Sequence, residues 1–539
     1  MIRRLEQHPI LSICIIVLLM CCVSFSVLDV TIMEARNFIT AREMVNDGNW
    51  LLTTMNGEPR YQKPPLPTWL TAISALVFGL KNVLVLRFPA IIMIAITGIF
   101  SYLLSLKLLE NKRHAFINGL ITITSFYVIG IVVEAPWDIF THGFMLVAIY
   151  HLFQLFEKKE KYWNHTIIAG IFFGLSLLCK GPISLYALLL PFLIAYGSIY
   201  KYNDFKQKAF SLFSFILIAI VIGGWWFLYV RLEDPETFAA ITSKETGNWG
   251  SYNVRPFYYY WSFFTQSGLW TIPAFIALLY PYMKSRVSNL KVYQLTFWWT
   301  IIAVILLSII PEKKSRYLMP VLIPMAINTG FYIKYLIGRF GDLKDKREIF
   351  PVYFNFGLIA LLGILFPLVG FFFGPFLAGP ILVLYLVSSL TLVIIGIKII
   401  VNLRRKEINK VFYSCILFLV TIMLLLTPFS NIQSQADYRS IGSFEGDIEL
   451  YSLGYVSPEM IWQYGDKLPQ IKPNDSMYNF PDVSKFGILV QELNDTEKTY
   501  LEMLYNLEHQ ETFDLNKKAS EEKGYRKRLV SHYYILTKK

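Results

Sequence analysis

Residues 210–231 read FSLFSFILIAIVIGGWWFLYVR, a run of apolar and aromatic side chains with one charge at its end. A helix of about 20 such residues crosses the hydrocarbon core of a bilayer, because each residue adds about 1.5 Å. The chain of 539 residues is 55% hydrophobic and only 16% charged. Soluble proteins average about 25% charged residues, so this composition excludes a soluble multi-domain enzyme.

Twelve further apolar runs resemble this one, and together they predict about 13 transmembrane helices. We expect the first run, which follows Arg3 and Arg4, to be a retained anchor because no small-residue cleavage pattern comes after it. A shorter apolar segment, 66–80, is expected to lie in the membrane interface. The 13 runs lie near 9–28, 85–107, 115–133, 138–156, 166–179, 182–200, 210–231, 268–283, 294–310, 317–337, 350–373, 376–402 and 411–429.

The basic connections between the runs predict the orientation of the chain. If segment 66–80 does not span, the connections near 107–113, 158–161, 201–208, 284–291, 334–347 and 404–410 lie on the same side as Arg3 and Arg4. The positive-inside rule places that side, with the N-terminus, in the cytoplasm of a cell (inner) membrane. The net charge of +12 therefore mostly orients the chain, and no nucleic-acid partner is expected.

The apolar runs end near residue 430, which predicts two domains. Residues 1–430 form the transmembrane domain, whose first outer loop, 29–84, carries interfacial helices. Residues 431–539 are expected to form a small extracytoplasmic α/β domain. Its elements are the strand-like runs Ile448–Tyr455, Phe486–Glu492 and His532–Thr537, with a helix near 494–510.

Ionisable side chains gather at the predicted outer ends of the spans, where they mark a site or an ion pair because charge at membrane depth is costly. Two plainer explanations compete: Asp138 caps the helix that follows it, and Lys180 reaches out to lipid headgroups. The residues of interest are Glu34 and Arg36, Tyr61 and Lys63 in RYQKPP, Asp138 after EAPW, Lys180 in CKGP, Arg255 before PFYYYW, and Lys313, Arg316 and Tyr317 in PEKKSRYLMP.

Carboxylates and cations on one face suit a site that holds a phosphate-bearing lipid and deprotonates an incoming hydroxyl. The sequence contains no GxGxxG or GxxxxGKS motif, which argues against a nucleotide-fuelled reaction. It also contains no HExxH motif and no cluster of His and Cys that would indicate zinc chemistry. The five cysteines lie in apolar runs and predict no disulfide framework.

Several of these motifs, taken in order, resemble the ArnT-type branch of the GT-C glycosyltransferases and, more distantly, the protein O-mannosyltransferases. The resemblance is carried by NGEPRYQKPPLPTWL, the Asp138 turn, the KGP turn, RPFYYYW and KSRYLMP. It covers about residues 9–340 in motifs and the rest as architecture. It implies an all-α polytopic GT-C fold, with about 13 transmembrane helices, and a small C-terminal α/β soluble domain.

The resemblance also implies an activity: inverting transfer of a sugar from a polyprenyl (undecaprenyl) phosphate carrier to a lipid A-type or other envelope acceptor, on the outer face of the membrane. The expected partners are that donor, a lipid, glycan or protein acceptor, and membrane lipids. By motif position, it gives catalytic roles to Glu34 and Asp138, carrier-phosphate binding to Lys63, Arg255, Arg316 and Lys180, and further substrate contacts to Arg36, Tyr61, Lys313 and Tyr317.

Three positions depart from the family pattern. Met33 replaces the first acid of the pair that ends at Glu34, so a base must be found at Glu34, Asp138 or Asp29. Gln62 and Thr246 stand where metal-binding members of the family have ligands. These replacements argue against a divalent metal at that site without excluding one, and no other cofactor is indicated.

Two alternatives remain open at this stage. A protein O-glycosyltransferase of the same fold differs only in its acceptor, which the sequence does not identify. A lipid or sugar transporter would need charges at the bilayer midplane, and often inverted repeats. The unusual charges here lie at one end of the spans and no repeat is visible, so the transporter is the weaker alternative.

Overall fold

A computed structural model of the chain describes residues 2–202, 204–373, 379–426, 438–444, 448–473 and 478–539. Within these residues, ten helices are long and apolar enough to cross a membrane. They are Pro9–Val27, Val83–Leu109, Lys112–Glu134, Pro136–Glu157, Phe205–Glu233, Leu290–Ile309, Ser315–Asp342, Lys346–Val369, Gly379–Arg404 and Ile408–Leu425. The prediction of an all-α membrane portion is confirmed.

The other three predicted spans are helical but fall short in length or hydropathy. Trp163–Lys180 has 18 residues, but polar side chains lie at both of its ends. Leu185–Ile199 is a shorter apolar helix that begins with a π-helical turn. The run 268–283 contains only Thr271–Ala277 and Tyr280–Met283 as α-helix. By these measures, ten of the 13 predicted spans are long and apolar enough to cross.

Four helices outside the candidate spans bear on the site. They are Ile32–Asp47 and Leu66–Phe78 in the first loop, Pro235–Ser251 in the loop before residue 257, and Pro458–Tyr464 near the C-terminal sheet. Leu66–Phe78 has only 13 residues, too few to span comfortably, as expected for the segment 66–80.

Two helices of the bundle pack closely because glycines face each other. Gly170 and Gly174 lie on Trp163–Lys180, and Gly223 lies on the neighbouring helix Ala209–Glu233. A Cβ on Gly223 would be 2.9 Å from the carbonyl oxygen of Gly174, so there is no room for a larger residue. Small residues of this kind let membrane helices approach closely. This contact fixes the helix that ends in Lys180.

The C-terminal region is an α/β domain, as predicted. Its five strands are β3 (Leu450–Leu453), β4 (Gln470–Ile471), β5 (Lys485–Val490), β6 (Tyr505–Asp514) and β7 (Val530–Lys538), with β1 (Thr54–Met55) and β2 (Glu58–Pro59) forming a hairpin earlier in the chain. The sheet order is β4-β3-β5-β7-β6. Strands β4, β3 and β5 are parallel, and β5, β7 and β6 are antiparallel. The predicted boundary at residues 430/431 lies outside the described residues.

The helix predicted over 494–510 is half right. It begins at Asp495, after a capping box formed by Asn494 and Glu497, and ends at Leu504. The following residues form β6 instead, because they pair with β7 from Tyr505 to Asp514, with one register shift between His509 and Glu511. That pairing partner lies more than a dozen residues further along the chain and is not visible in local periodicity.

The C-terminal domain packs against the first loop. The ring of Trp462, on Pro458–Tyr464, lies 5.3 Å from the ring of Phe38 and 5.9 Å from the guanidinium of Arg42. Asn56 donates from Nδ2 to the carbonyl oxygen of Leu468 at 2.7 Å and accepts from its N–H at 2.6 Å. The first loop is thus held between the bundle and this domain.

Candidate active site

A cavity of about 680 Å³ opens where the first loop, Lys180, the helix Pro235–Ser251 and the segment 312–317 meet. Its lining includes seven cationic side chains and three carboxylates, an excess of four positive charges. The cations are Arg36, Arg60, Lys63, Lys180, Lys244, Lys314 and Arg316, and the carboxylates are Glu58, Glu245 and Glu312. The structure therefore brings together five predicted residues: Arg36, Lys63, Lys180, Arg316 and Tyr317.

A tight hairpin directs the chain toward this cavity. Asn56 and Gly57 have φ of 58° and 77°, the left-handed pair that a two-residue type I′ turn requires. The buried carboxylate of Glu43 accepts from the N–H of Asn56 at 2.5 Å and of Gly57 at 3.2 Å. The strand that leaves this turn continues into Arg60 and Lys63, so the turn sets where those two cations lie.

Lys63 is a half-buried cation in the lining of the cavity. Its ammonium has no hydrogen-bond or ion-pair partner among the residues that the structure describes. Burial, and then the nearby charge of Lys180, lower the pKa of Lys63 to about 8. A partly buried cation without a counter-ion costs free energy, which an incoming anion would recover.

Arg60 forms one wall of the cavity. Its guanidinium donates to the carbonyl oxygen of Arg36 at 2.7 Å and to Oγ1 of Thr40 at 2.9 Å, and lies 5.3 Å from the Trp137 ring centroid. These contacts fix the plane of the guanidinium without neutralising it.

Asp138 is buried and binds the ammonium of Lys180, which lines the cavity. The Lys180 ammonium donates to Oδ1 of Asp138, and the two side chains are 8% and 2% exposed. Lys180 lines the cavity and lies 5.5 Å from the Tyr317 ring centroid, whereas Asp138 does not line it. Asp138 and Lys180 are therefore each other's partner. Asp138 does more than cap a helix, and Lys180 does not reach out to lipid headgroups.

The segment 312–317 contributes a second charged group. Oε1 of Glu312 accepts from Nζ of Lys314 at 2.6 Å and from the hydroxyl of Tyr317 at 3.0 Å. Arg316 lies in the same wall, and its Nε is buried without a hydrogen-bond partner among the described residues.

Glu34 was expected to be catalytic, but the structure places it in a buried ion pair. It is fully buried, and its two oxygens accept from Nε and Nη2 of Arg87 at 2.6 and 2.9 Å. It also closes the capping box with Thr31 that begins the helix Ile32–Asp47. Glu34 does not line the cavity. This geometry is that of a structural ion pair that fixes the first loop to the helix Val83–Leu109.

Comparison with solved structures decides the architecture. The chain aligns with ArnT from Cupriavidus metallidurans in the apo state with a TM-score of 0.70, covering 98% of this chain and 97% of that one at 15% identity. ArnT from the same organism bound to undecaprenyl phosphate aligns with a TM-score of 0.68 at 14% identity. The chain has an ArnT-like GT-C fold. It is a multi-span membrane protein of that architecture.

Sequence relatives agree with the ArnT-like fold over part of the chain. Residues 62–226 match the family described as dolichyl-phosphate-mannose-protein mannosyltransferase. An uncharacterized protein of Aquifex aeolicus is 28% identical over 54% of this chain and 57% of its own length. The undecaprenyl phosphate-α-4-amino-4-deoxy-L-arabinose arabinosyl transferase of Edwardsiella ictaluri is 26% identical over 62% and 61%. The chain thus spans less than two thirds of the length of the curated relatives it matches.

Besides Glu34 and Asp138, three further predicted residues do not line the cavity of this ArnT-like fold. Tyr61 is buried and its hydroxyl donates to Asp234 at 3.0 Å; burial and then this hydrogen bond raise the pKa of Tyr61 to about 12. Arg255 is exposed and does not line the cavity. Lys313 is buried and donates to the carbonyl oxygens of Arg255 and Ile310 at 3.0 and 2.6 Å, so its ammonium is satisfied by backbone.

The side chains at positions 62 and 246, where metal-binding family members have ligands, do not fit a divalent metal. Gln62 lines the cavity and offers only an amide. Thr246 does not line the cavity, and its hydroxyl donates to the carbonyl oxygen of Thr242 at 2.8 Å. No three His, Cys, Asp or Glu side chains group together within the described ranges. The argument against a divalent metal stays a prediction.

Four residues at the cavity or supporting it were not predicted from the sequence. Arg60 belongs to the quoted RYQKPP motif but was not singled out, and Lys244 and Glu245 lie in a polar helix without an apolar context to mark them. Arg87 did carry a signal, because it is a charge inside an apolar run. A search for intramembrane arginines would have found the partner of Glu34.

Proposed function

We propose that this chain is a glycosyltransferase that takes its sugar from a polyprenyl-phosphate carrier. The cavity carries this proposal: seven cations face three carboxylates, and Lys63 has no partner among the described residues. An excess of cations in a partly buried site binds phosphate strongly, because charge-assisted hydrogen bonds gain strength away from water. The ArnT-like fold supports the same donor class, since the solved relative binds undecaprenyl phosphate.

In the proposed reaction, the cavity stabilises the phosphate that leaves the sugar. When the bond between the sugar and the carrier phosphate breaks, negative charge grows on the phosphate oxygen. Lys63, Arg316 and Arg36 line the cavity and supply fixed positive charge to it. Lys180 adds to this field, and Asp138 keeps it in place through their ion pair. We therefore assign Asp138 a positioning role and Glu34 a structural one.

The acceptor is proposed to be a lipid A-type or other envelope molecule, and attack from the face opposite the phosphate would invert the anomeric centre. We further propose that transfer takes place on the outer face of the bacterial inner membrane, with the N-terminus in the cytoplasm and the C-terminal domain outside. The basic connections between the spans support this orientation.

A protein O-glycosyltransferase is the second candidate. The match of residues 62–226 to the mannosyltransferase family favours it. Both candidates need the same carrier phosphate in the same cavity, so they differ in acceptor alone.

The binding test uses purified, detergent-solubilised protein with undecaprenyl phosphate and with undecaprenol, which has the same chain without phosphate. We expect saturable binding of the phosphate form, measured by native mass spectrometry, and at least tenfold weaker binding of the alcohol. Equal binding of the two lipids would contradict the proposal.

The functional test is mass spectrometry of lipids, glycans and proteins from a strain lacking the gene. We expect a carrier-linked sugar to accumulate and one envelope component to lose that sugar, with both effects reversed by the intact gene. A modified lipid would support the first candidate acceptor and a modified protein the second. Unchanged carrier lipids would contradict glycosyl transfer.

A further inference from the structure

Transfer to a hydroxyl needs a group that takes up its proton, and most carboxylates at the cavity are already engaged. Met33, which replaces the expected acid, lines the cavity and cannot act as a base. Four nearby carboxylates have cationic partners: Glu34 pairs with Arg87, Asp138 with Lys180, Glu312 with Lys314, and Glu58 with Lys472. Among these, Glu34 and Asp138 do not line the cavity at all.

Glu245 is the exception within the part of the chain that the structure describes. It lines the cavity from the helix Pro235–Ser251, and it has no hydrogen-bond or ion-pair partner among the described residues. It is half-buried. It lies close enough to Lys63 for its charge to act on that ammonium, yet the two do not form an ion pair. A cavity that binds phosphate gains nothing from a free carboxylate, so this one calls for another role.

We infer that Glu245 is the catalytic base that accepts the proton of the acceptor hydroxyl, an inference that rests on the proposed glycosyl transfer. The acceptor oxygen forms a bond to the anomeric carbon of the sugar, and its proton passes to a carboxylate oxygen of Glu245. The bond from the anomeric carbon to the phosphate oxygen breaks, and its electron pair stays on the polyprenyl phosphate. Lys63 lines the same cavity as Glu245 and faces that leaving phosphate, so the base and the phosphate-binding cation serve one reaction site.

The test compares Glu245→Gln with wild type and with a matched control. Glu236→Gln makes the same change in the same helix, at an exposed residue outside the cavity. Purified protein is added to membranes of the deletion strain, which hold both donor and acceptor, and loss of sugar from the carrier is followed by mass spectrometry. We expect Glu245→Gln to be slower by a factor of about 100 or more, the contribution of a general base, and Glu236→Gln to stay within about twofold of wild type.

Binding of undecaprenyl phosphate separates a base from a merely structural residue. Removing the negative charge next to Lys63 should leave this binding unchanged or make it tighter, while transfer is lost. Glu245→Asp, which keeps the carboxylate, should recover part of the rate.

The possible outcomes distinguish failure of the base role of Glu245 from failure of the proposed glycosyl transfer. If wild type consumes the carrier-linked sugar and Glu245→Gln does so equally fast, glycosyl transfer stands and the role of Glu245 is wrong. If Glu245→Gln loses binding together with transfer, the residue is structural and the inference is again wrong. If wild type consumes no carrier-linked sugar, the proposed function and the base role fall together.

Discussion

At the scale of single residues, Lys63 is the cation that we expect to bind the phosphate of the carrier lipid. Its ammonium has no partner among the described residues, so a bound phosphate would supply the missing counter-ion. We expect Lys63→Ala to weaken undecaprenyl phosphate binding by about tenfold to a hundredfold, since a hydrogen bond to a charged group contributes about 1.5–3 kcal/mol. Lys81→Ala, at an exposed loop lysine outside the cavity, should bind as wild type does. Equal affinity in both variants would contradict the assignment.

The lowered pKa of Lys63 predicts a pH dependence of the same binding. Below its pKa of about 8 the side chain is charged and attracts phosphate; above it the free protein loses that charge. The affinity of wild type should therefore fall as pH rises from about 8 to 10, by at most about tenfold per pH unit. Lys63→Arg stays charged throughout and should lack this fall. The groups facing Lys63, namely Lys180, Arg60, Glu245 and Asp138, are common to both proteins, so the difference between the two curves isolates residue 63.

Glu34 is predicted to act on stability and not on chemistry. Removing one partner of a buried ion pair costs about 3–5 kcal/mol, because the other charge is left alone. Glu34→Gln should therefore lower the thermal unfolding temperature of the solubilised protein strongly. Glu58→Gln, in the exposed pair with Lys472, should change it little, since exposed pairs contribute little. A variant of Glu34 with normal stability and no transfer would return Glu34 to the catalytic machinery.

Whether a site residue could be predicted from the sequence depended on how far along the chain its partner lies. Lys63, Asp138, Lys180 and Arg316 were predictable because each is a charge next to an apolar element. The pairing of Glu34 was not, since Arg87 is 53 positions away. The outcome for Lys313 depended on backbone carbonyls, which no residue pattern reveals.

At the scale of elements, the glycine contact between two helices sets the place of Lys180. A Cβ on Gly223 would lie 2.5 Å from Cβ of Leu177, so Gly223→Ala must push the helix Trp163–Lys180 away, at a cost of about 1–3 kcal/mol. Gly224→Ala is the matched control, because the nearest atom to its Cβ is 3.9 Å away. We expect Gly223→Ala alone to lower the unfolding temperature and weaken undecaprenyl phosphate binding. Equal behaviour of the two variants would contradict this packing argument.

The helices themselves were largely predictable, because a bilayer demands long apolar runs and the sequence displays them directly. The segment 268–283 was overestimated. Gly268, at its first residue, adopts a non-helical φ of 66°, and the helix that follows ends at Ala277, before the short helix that begins at Tyr280. Strand β6 was missed for a different reason. Its residues, 505–514, alternate weakly in polarity, and only their pairing with β7 determines their conformation.

At the scale of the whole molecule, the described part of the C-terminal domain supports the cavity without lining it. All of the cavity residues belong to the chain before residue 318, yet the first loop that supplies several of them is fastened to the C-terminal domain at Trp462 and Leu468. This domain was predicted from the sequence, but its contact with the first loop was not, since the bonded residues Asn56 and Leu468 are 412 positions apart. The arrangement makes the domain a support for the phosphate-binding loop.

Trp462→Ala tests that support. It removes the ring that packs against Phe38 and Arg42, so residues 32–63 should exchange their amide hydrogens faster and undecaprenyl phosphate should bind several-fold more weakly. Met503→Ala, at a residue of the same domain that is 65% exposed, should change neither property. Hydrogen exchange measured by mass spectrometry locates the effect in the loop and separates it from general unfolding of the domain. If exchange rises only within residues 448–539 and binding is unchanged, the C-terminal domain folds beside the cavity without supporting it, and recognition of the acceptor becomes the role to test for it.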